Sequence, residues 1–167
     1  MQTMRMQTLT AQIVPQQQDY TSPFDDGTPG FRHEWWIDQL AHARNPDHCP
    51  YSFIDGAGEE VARVLLHARA GFVDLEDAGV ALPADAVSVE RLEVRADLLH
   101  PRRGVGTRVI RELEFLHPVG TLFAFSEDAD DFWHSTGWKF MPRRDGRTSY
   151  RAMFVYTARG DLRYPTR

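Results

Sequence analysis

The sequence has little cysteine, little lysine and no long apolar run. Cys49 is the only cysteine, which excludes a disulfide framework within one chain and favours a reducing compartment. No apolar stretch approaches the ~20 residues that a membrane-spanning helix needs. Residues 1–14 also lack the apolar segment of a signal peptide. We therefore expect a cytoplasmic protein with no membrane partner.

Positive charge is not in excess either. The 167 residues include 24 acidic and 19 basic side chains, which gives a formal net charge of −5. Nucleic-acid binders usually show a basic footprint, so this balance argues against a nucleic-acid partner and is compatible with an amine ligand. Hydrophobic residues make up 42% of the chain, enough for a single globular domain over residues 1–167.

Apolar periodicity predicts a chain in which strands and helices alternate. Residues 31–44 and 105–116 carry apolar side chains at helical spacing, the latter at Val105, Val109, Leu113 and Leu116. Residues 121–125 are continuously apolar, as in a strand covered on both faces. The other predicted elements are strands at 8–14, 51–54, 61–68, 87–94, 138–141 and 150–157 and a short helix at 128–135. This order predicts an α/β (α+β) fold with helices flanking a sheet.

The fourth predicted strand changes phase in its middle. Val87 and Val89 occupy odd positions, whereas Leu92 and Val94 occupy even ones. A strict period of two would place these pairs on opposite faces of the sheet. One extra residue near Glu90, a β-bulge, would restore a single buried face and would leave backbone amides beyond it unpaired.

A glycine-containing loop leads from this strand into the helix at 105–116. The two glycines let the backbone pass close to a ligand, and the amides at a helix N-terminus attract anions. Arginine side chains around the loop suit phosphate oxygens. The loop is not a Walker A motif, because no Gly-Lys-Ser/Thr follows. The predicted anion site comprises Arg102, Arg103, Gly104, Val105, Gly106, Thr107 and Arg108.

The motifs in residues 87–157 occur in an order that resembles the GNAT N-acetyltransferase superfamily. A bulged strand, an Arg-Gly-x-Gly loop, an amphipathic helix and a short strand precede Phe132-Trp133-His134-Ser135-Thr136-Gly137-Trp138. In that superfamily the loop amides hold the pyrophosphate of acetyl-CoA. The resemblance implies a mixed, mostly antiparallel central sheet whose bulged fourth strand splays from the fifth. It also implies acetyl-CoA as the acyl-donor co-substrate.

Two positions depart from the family pattern. Pro101 stands where the loop motif normally begins with Arg or Gln, and Trp133 stands where a tyrosine often protonates the departing thiolate. An indole N–H cannot release its proton at useful pH. Candidates to replace that acid are His134, Ser126, Ser135, Tyr150 and Tyr156. The cofactor-binding positions that the resemblance implies outside the loop are Trp133 and the amides of Leu92, Val94 and Arg95, which would hold pantetheine and polarise the thioester carbonyl.

Acetyl transfer to an amine needs a group that accepts the amine's proton, because amines are mostly protonated at pH 7. Glu90, at the inferred bulge, looks like the glutamate base of the superfamily's histone acetyltransferases. Glu93 is the competing carboxylate, and His134 is the first candidate acid. Each glutamate can also be explained as a solvated strand residue. The seven histidines show no tight metal spacing, so no metal site is expected.

These features predict an N-acetyltransferase that moves an acetyl group from acetyl-CoA to a primary amine of a small molecule or protein by direct attack. Trp35 and Trp36 either line the acceptor side of the site or belong to an ordinary aromatic core. The alternative is a non-catalytic module that binds CoA, acyl-CoA or a protein partner, which the Trp133 replacement favours. A further hypothesis is acetylation of an aminoacyl-tRNA, and the net negative charge of the chain argues against it. Exposed final strands predict a homodimer.

Overall fold

The computed structural model describes residues 8–14, 24, 27–40, 46–70, 82–99, 104–142 and 151–158. Within these ranges the chain forms seven strands and three α-helices. The strands are β1 (Thr10–Ile13), β2 (His48–Ile54), β3 (Glu60–His67), β4 (Val87–Val94), β5 (Thr121–Phe125), β6 (Lys139–Met141) and β7 (Met153–Thr157), and the helices are α1 (His33–Leu40), α2 (Val105–Leu116) and α3 (Asp130–Thr136). No helix of this described part is long and apolar enough to cross a membrane.

The strands form one mixed sheet in the order β1-β2-β3-β4-β5-β7-β6. β1 pairs with β2, and β7 pairs with β5 and β6, all in antiparallel orientation. β4 and β5 are parallel, and their register joins Val87 to Leu122 and Ser88 to Phe123. A mixed, mostly antiparallel sheet with helices confirms the predicted fold class. The short β4–β5 register agrees with the expected separation of these strands beyond Ser88.

The second half of β4 differs from the sequence expectation in which side chain it buries. Val87, Ser88 and Val89 are buried, and Glu90 is exposed. Beyond Glu90 the buried residue is Glu93, whereas Leu92 and Val94 are only half-buried. The reason is that the Glu93 carboxylate finds hydrogen-bond donors within the fold, as shown below. The bulge itself stays a prediction.

The chain divides into two compact units: residues 1–65 with 91–112, and residues 66–90 with 113–167. The prediction of a single domain over residues 1–167 therefore stays a prediction. The first unit has an aromatic core in which the fully buried Trp36 packs with Phe24 and Leu65, and Trp35 lies against this cluster. The rings of Phe24 and Trp36 meet edge to face at 4.7 Å, an arrangement that aromatic pairs prefer.

The first unit also buries an arginine, Arg63 on β3. Its Nε and Nη2 donate to the two carboxylate oxygens of Glu60 at 3.1 and 2.9 Å. Its guanidinium lies over the rings of Phe24 and Phe31, at 4.8 and 4.1 Å from their centroids. A buried charge is tolerated only when it is paired in this way. Arg63 is therefore a structural residue.

The second unit has its own core, in which Phe123, Met141, Met153 and Val155 are buried together with Ala70 and Ala86. Ser126 prepares the start of α3, because its Oγ accepts a hydrogen bond from the backbone N–H of Ala129 at 3.1 Å. Asp128, the first residue of the predicted helix, instead adopts a left-handed φ of 54°, and α3 begins at Asp130. The acidic first turn of α3 comes from Asp130 and Asp131.

α2 buries most of the apolar stripe that its spacing predicts. Val105, Val109 and Leu113 are buried, and Ile110 joins them with no exposed surface. Leu116, the last residue of the helix, is 42% exposed. The predicted stripe is therefore correct over its first three members and wrong at its fourth, because the helix ends there and the chain turns away.

Candidate functional site

The loop before α2 has the backbone conformation that a close approach to an anion requires. Gly104 has a φ of +66°, a conformation that side-chain-bearing residues rarely adopt. A Cβ atom built at Gly104 would meet nothing within 4 Å, so the space beside this residue is open. Glycine is therefore favoured at this position by the positive φ of the backbone and not by a lack of space for a side chain.

The first turn of α2 presents backbone donors. Its first intrahelical hydrogen bond runs from the N–H of Arg108 to the carbonyl of Gly104, at 3.1 Å. The amides of Val105, Gly106 and Thr107 precede that bond, as the orphan donors of a helix N-terminus do. This fully described turn holds no acidic residue, so the helix dipole favours an anion there. The predicted Arg102 and Arg103 lie outside the described residues.

Glu90 is the accessible carboxylate of β4. Its side chain is 39% exposed, and its Oε1 lies 3.9 Å from Nδ1 of His67 on β3. This separation is too long for a hydrogen bond but short enough for an electrostatic interaction. His67 was not among the site residues predicted from the sequence. Its position at the end of an apolar strand is the only sequence feature that points to it. Glu90 has the access that a proton acceptor needs, and its catalytic role stays a prediction.

Glu93, the competing base, has surroundings of a different kind. Its side chain is 8% exposed, and its Oε1 accepts hydrogen bonds from Nε of Arg32 at 3.0 Å and from the backbone N–H of Arg32 at 3.1 Å. Its Oε2 accepts a 2.6 Å hydrogen bond from Nε1 of Trp36. Both oxygens therefore accept hydrogen bonds within the fold. Glu93 thus fastens the start of α1 to β4, and its role as the competing catalytic base stays a prediction.

The backbone amides beyond Glu90 are not all available to a ligand. The N–H of Arg95 donates to the carbonyl of Val61 at 3.0 Å, so this amide is engaged within the fold, and its predicted contact with the cofactor is untested. Its side chain is also engaged, because Nη1 donates to the carbonyl of Glu60 at 3.0 Å and Nε donates to Asp97 at 2.7 Å. Leu92 and Val94 are half-buried, and their binding role stays a prediction.

Trp133 belongs to an aromatic cluster of the second unit. It is 6% exposed, and its ring lies 5.0 Å from that of Trp138 and 6.3 Å from that of Phe154. Trp138 is fixed in turn, because its Nε1 donates to Oε1 of Glu114 at 2.9 Å. Trp133 is thus primarily a core residue, and its predicted contact with the cofactor is untested.

The candidate acids occupy separate places in the second unit. His134 is exposed, and its ring lies edge-on to Phe154 of β7 at 4.9 Å, whereas Glu90 faces His67 on β3. Ser135 donates to the carbonyl of Phe132 at 2.6 Å, and Ser126 accepts a hydrogen bond from the backbone N–H of Ala129, directly before α3. Tyr156 is half-buried over Trp138, and Tyr150 lies outside the described residues.

Two arginines share one indole ring in the first unit. The guanidinium carbons of Arg32 and Arg91 lie 4.2 and 4.4 Å from the ring centroid of Trp35, within the range of cation–π attraction. The Trp35 ring is braced by Trp36, 5.2 Å away at 77°. Arg32 is paired with Glu93, and Glu34 lies in the first turn of α1.

The pKa values of two further reactive side chains, Cys49 and Tyr51, are raised above their ordinary values. Burial, reinforced by Asp47, raises the pKa of the Cys49 thiol, so the reactive thiolate is disfavoured. Burial also raises the pKa of Tyr51. Among the residues that the structure describes, no group of His, Cys, Asp and Glu is arranged to hold a metal ion.

No protein-family model and no curated protein sequence matches this chain. Solved structures do match it. AtaT, solved in complex with acetyl-methionyl-tRNAfMet, is 18% identical over 91% of this chain and 96% of AtaT, with a TM-score of 0.53. A bacterial toxin is 15% identical over 92% of this chain and 93% of its own length, with a TM-score of 0.52.

A proposed acetyltransferase from Exiguobacterium sp. 255-15 is also similar. It is 11% identical over 90% of this chain and 93% of its own, with a TM-score of 0.52. At such identities the likeness shows the fold alone. The chain has the fold of the GNAT acetyltransferases, as the sequence motifs predict.

Proposed function

We propose that this protein is an N-acetyltransferase that transfers the acetyl group of acetyl-CoA to a primary amine. The observation that carries the proposal is the start of α2 in a GNAT fold. Gly104, with its positive φ, precedes a helix whose first turn offers the amides of Val105, Gly106 and Thr107. These amides, together with the helix dipole, suit the pyrophosphate of acetyl-CoA.

Glu90 is the residue that we assign to proton transfer. The amine must lose a proton before its lone pair can attack the thioester carbonyl, and an accessible carboxylate can accept that proton directly or through a water. The new C–N bond then forms as the C–S bond breaks, and the thiolate leaves. The nitrogen of the new amide releases its second proton to the departing thiolate or to solvent. The proton on Glu90 returns to solvent, to which its 39% exposed side chain has access.

The departing thiolate needs no acid from Trp133. A thiolate has a conjugate-acid pKa near 8.5 and is already a fair leaving group, so protonation by solvent is sufficient. The buried position of Trp133 fits a core role at the place of the family's tyrosine. We therefore propose direct attack without a general acid from this position.

Calorimetric titration with acetyl-CoA and with free CoA tests the cofactor site first. We expect micromolar binding of both ligands. If neither ligand produces heat at several temperatures or shifts thermal unfolding, the acetyltransferase proposal fails.

The Glu90→Gln variant tests the chemistry. We expect kcat to fall by roughly 10²- to 10⁴-fold, the usual contribution of general base catalysis, with an unchanged dissociation constant for acetyl-CoA. The matched control is Glu127→Gln, which neutralises another half-exposed glutamate with a basic neighbour, Arg151. Equal rates for both variants would remove Glu90 from the mechanism.

Firm binding of acetyl-CoA without turnover of any amine would favour the non-catalytic module. The buried Trp133 in place of a tyrosine is the feature that keeps this alternative open. Replacing Trp133 by tyrosine then discriminates, because it should raise the rate of a weakened enzyme and should leave a pure binding module without activity.

A second candidate acceptor is the amine of an aminoacyl-tRNA, since AtaT was solved with an acetylated aminoacyl-tRNA. The observation in this chain that favours it is that two guanidinium groups, those of Arg32 and Arg91, lie against the Trp35 ring, since guanidinium groups suit phosphate oxygens. Net charge averages over a whole surface, so a value of −5 does not exclude a local contact with a polyanion. Transfer of labelled acetyl groups to aminoacyl-tRNA, compared with free amino acids and peptides, tests this acceptor. Labelling of the small amines alone would exclude it.

A further inference from the structure

His67, the last residue of β3, is buried at the point where the chain leaves the sheet. Every residue of β3 from Val61 to His67 is buried. Just beyond the strand, the backbone N–H of Ala70 donates to the carbonyl of Ala86 at 2.7 Å, and both alanines have no exposed surface. This hydrogen bond joins the chain after β3 to the residue before β4, so His67 lies between two fixed stretches of backbone.

Glu90 combines a fixed backbone with an accessible side chain. Ser88 and Val89, directly before it, are buried, and β4 pairs with β5 at Val87 and Ser88. The side chain of Glu90 is 39% exposed. A glutamate with this much access populates several rotamers unless a neighbouring group favours one of them, and each rotamer places the carboxylate differently. A proton acceptor at this position therefore benefits from a neighbour that selects one rotamer.

His67 is the polar neighbour that can make this selection. Its Nδ1 lies 3.9 Å from Oε1 of Glu90, and both residues belong to the same compact unit. Hydrogen bonds between catalytic groups are often long without substrate and shorten in the substrate complex. An approach of about 1 Å would give a hydrogen bond of ordinary length, about 2.9 Å. Because His67 is buried, this movement would come from the side chain of Glu90.

A neutral imidazole has the chemistry that this role requires. It carries its proton on one ring nitrogen only, and the hydrogen bonds of the ring decide which one. With the proton on Nδ1, His67 can donate to Oε1 of Glu90 and leave Oε2 for a second contact. A base whose orientation is set by a hydrogen bond from a third group is a recurring arrangement in catalytic sites.

We propose that His67 is a positioning residue for Glu90. Its Nδ1–H donates to Oε1, and Oε2 is thereby left to the amine. The proton of the amine passes to Oε2 and then to solvent, while the proton on Nδ1 stays in place. The inference rests on the proton-transfer role proposed above for Glu90 and deepens it, because it names the residue that orients the carboxylate.

Two amides that differ only in length test where the donor must lie. The amide of His67→Asn falls near the position of Nδ1, whereas that of His67→Gln falls near Nε2. With n-butylamine as the acceptor, we expect His67→Asn to keep kcat within about threefold and His67→Gln to lose about 10- to 100-fold, the range for a hydrogen bond to a charged group. The dissociation constant for acetyl-CoA should not change. Equal losses of kcat would overturn the proposal, because a merely structural histidine would not distinguish the two amides.

A second comparison asks whether His67 acts through Glu90. In the Glu90→Gln background, His67→Gln should cause no further loss of kcat, since the carboxylate that it orients is gone. A loss that multiplies the effect of Glu90→Gln would show independent action and would overturn the proposal. The matched control is His117→Gln, which replaces another partly buried imidazole of the second unit by the same amide. It should leave kcat unchanged.

A readout that needs no catalysis keeps the inference distinct from the proposed function. Long-range 1H–15N NMR spectra of the full chain show which ring nitrogen of His67 carries the proton, and its signals are identified by their loss in His67→Asn. At about pH 8, where ordinary imidazole groups are neutral, we expect the proton on Nδ1 in the wild type. It should shift toward Nε2 in Glu90→Met, which keeps the length of the side chain but has no carboxylate.

The outcomes of this measurement separate the two claims. An unchanged position of the His67 proton in Glu90→Met, or a wild-type proton on Nε2, would overturn the proposal whether or not the protein is active. Failure of acetyl-CoA to bind, together with the expected shift, would overturn the acetyltransferase function and not the contact between His67 and Glu90.

Discussion

Glu90 and Glu93 lie three positions apart on one strand, yet they meet different surroundings. The Glu90 side chain is 39% exposed beside His67, whereas Glu93 is buried and accepts hydrogen bonds on both oxygens. A residue that accepts a proton must be accessible to its substrate. A buried carboxylate that holds two elements together needs hydrogen-bond donors for its oxygens. The exposure of Glu90 therefore suits the proton transfer proposed for it, and the enclosed Glu93 holds α1 to β4.

Removing the anchor should destabilise the protein. In Glu93→Ala the fully buried Nε1 of Trp36 loses its acceptor, which we expect to lower the free energy of unfolding by about 1–3 kcal/mol. Glu59→Ala is the control, because Glu59 is 67% exposed at 3.6 Å from Arg95 and such pairs contribute at most about 1 kcal/mol. Urea denaturation of both variants gives the comparison. Equal stabilities would mean that Glu93 is not an anchor.

His117 should make the fold sensitive to acid. Burial lowers its pKa below the ordinary value of 6.5, and its buried Nε2 has no hydrogen-bond partner among the described residues. The folded chain thus binds this proton less tightly than the unfolded chain. The contribution to stability is present above pH 6.5 and is lost as the pH falls through that value toward the lower folded pKa.

The His117→Gln variant checks this sign. We expect its free energy of unfolding to fall less steeply than that of the wild type between about pH 7.5 and about pH 5. Chemical denaturation at a series of pH values gives both curves. Parallel curves over this range would contradict the assignment.

At the scale of elements, the loop and α2 combine two requirements in adjacent residues. Gly104 supplies the left-handed turn, and the buried Val105, Val109 and Ile110 fix the helix that follows. The turn therefore sets the orientation of the first amides of α2, and the buried side chains hold the helix in place. Binding of an anion there depends on backbone direction and not on any one side chain.

Gly104→Ala should weaken acetyl-CoA binding more than it weakens the fold. An alanine at positive φ costs roughly 1–2 kcal/mol, and relief of that strain would redirect the neighbouring amides. Gly58→Ala is the matched control, because Gly58 also has a positive φ, +85°, with open space around its Cβ. We expect similar losses of stability for both variants and a several-fold loss of acetyl-CoA affinity for Gly104→Ala alone, measured by calorimetry. An equal effect on affinity would remove the loop from the cofactor site.

At the scale of the whole molecule, the sheet formed by the described residues has two outer strands. β1 and β6 are the outer strands in the sheet order, and Phe140 on β6 is 44% exposed. Outer strands with exposed apolar residues are sites of association between chains. The homodimer stays a prediction, and this edge is where we expect it.

Phe140→Lys tests that edge. We expect sedimentation velocity to show a dimer for the wild type and a shift toward monomer for the variant, because a lysine on an outer strand opposes pairing. Val119→Lys is the control, since Val119 is 73% exposed but lies in a turn and not on a strand. A wild-type monomer, or dissociation caused equally by both variants, would contradict this interface.

Much of the fold could be predicted from the sequence. The limits of α2 and β5 agree with their periodicity, because the apolar spacing of these elements is set by contiguous residues. The site was harder to predict. His67 and Arg32 carried no local motif, and the importance of each comes from a carboxylate far away in the chain.

The sequence by itself determined the mixed fold, the glycine loop before α2 and the position of two glutamates on one strand. These depend on short-range spacing, which a linear pattern records. Only the tertiary structure decided which glutamate is accessible and which one is buried against hydrogen-bond donors. The donors to Glu93 come from Trp36, 57 positions away, and from Arg32, 61 positions away. Such contacts depend on how distant segments pack, so spacing along the chain does not encode them.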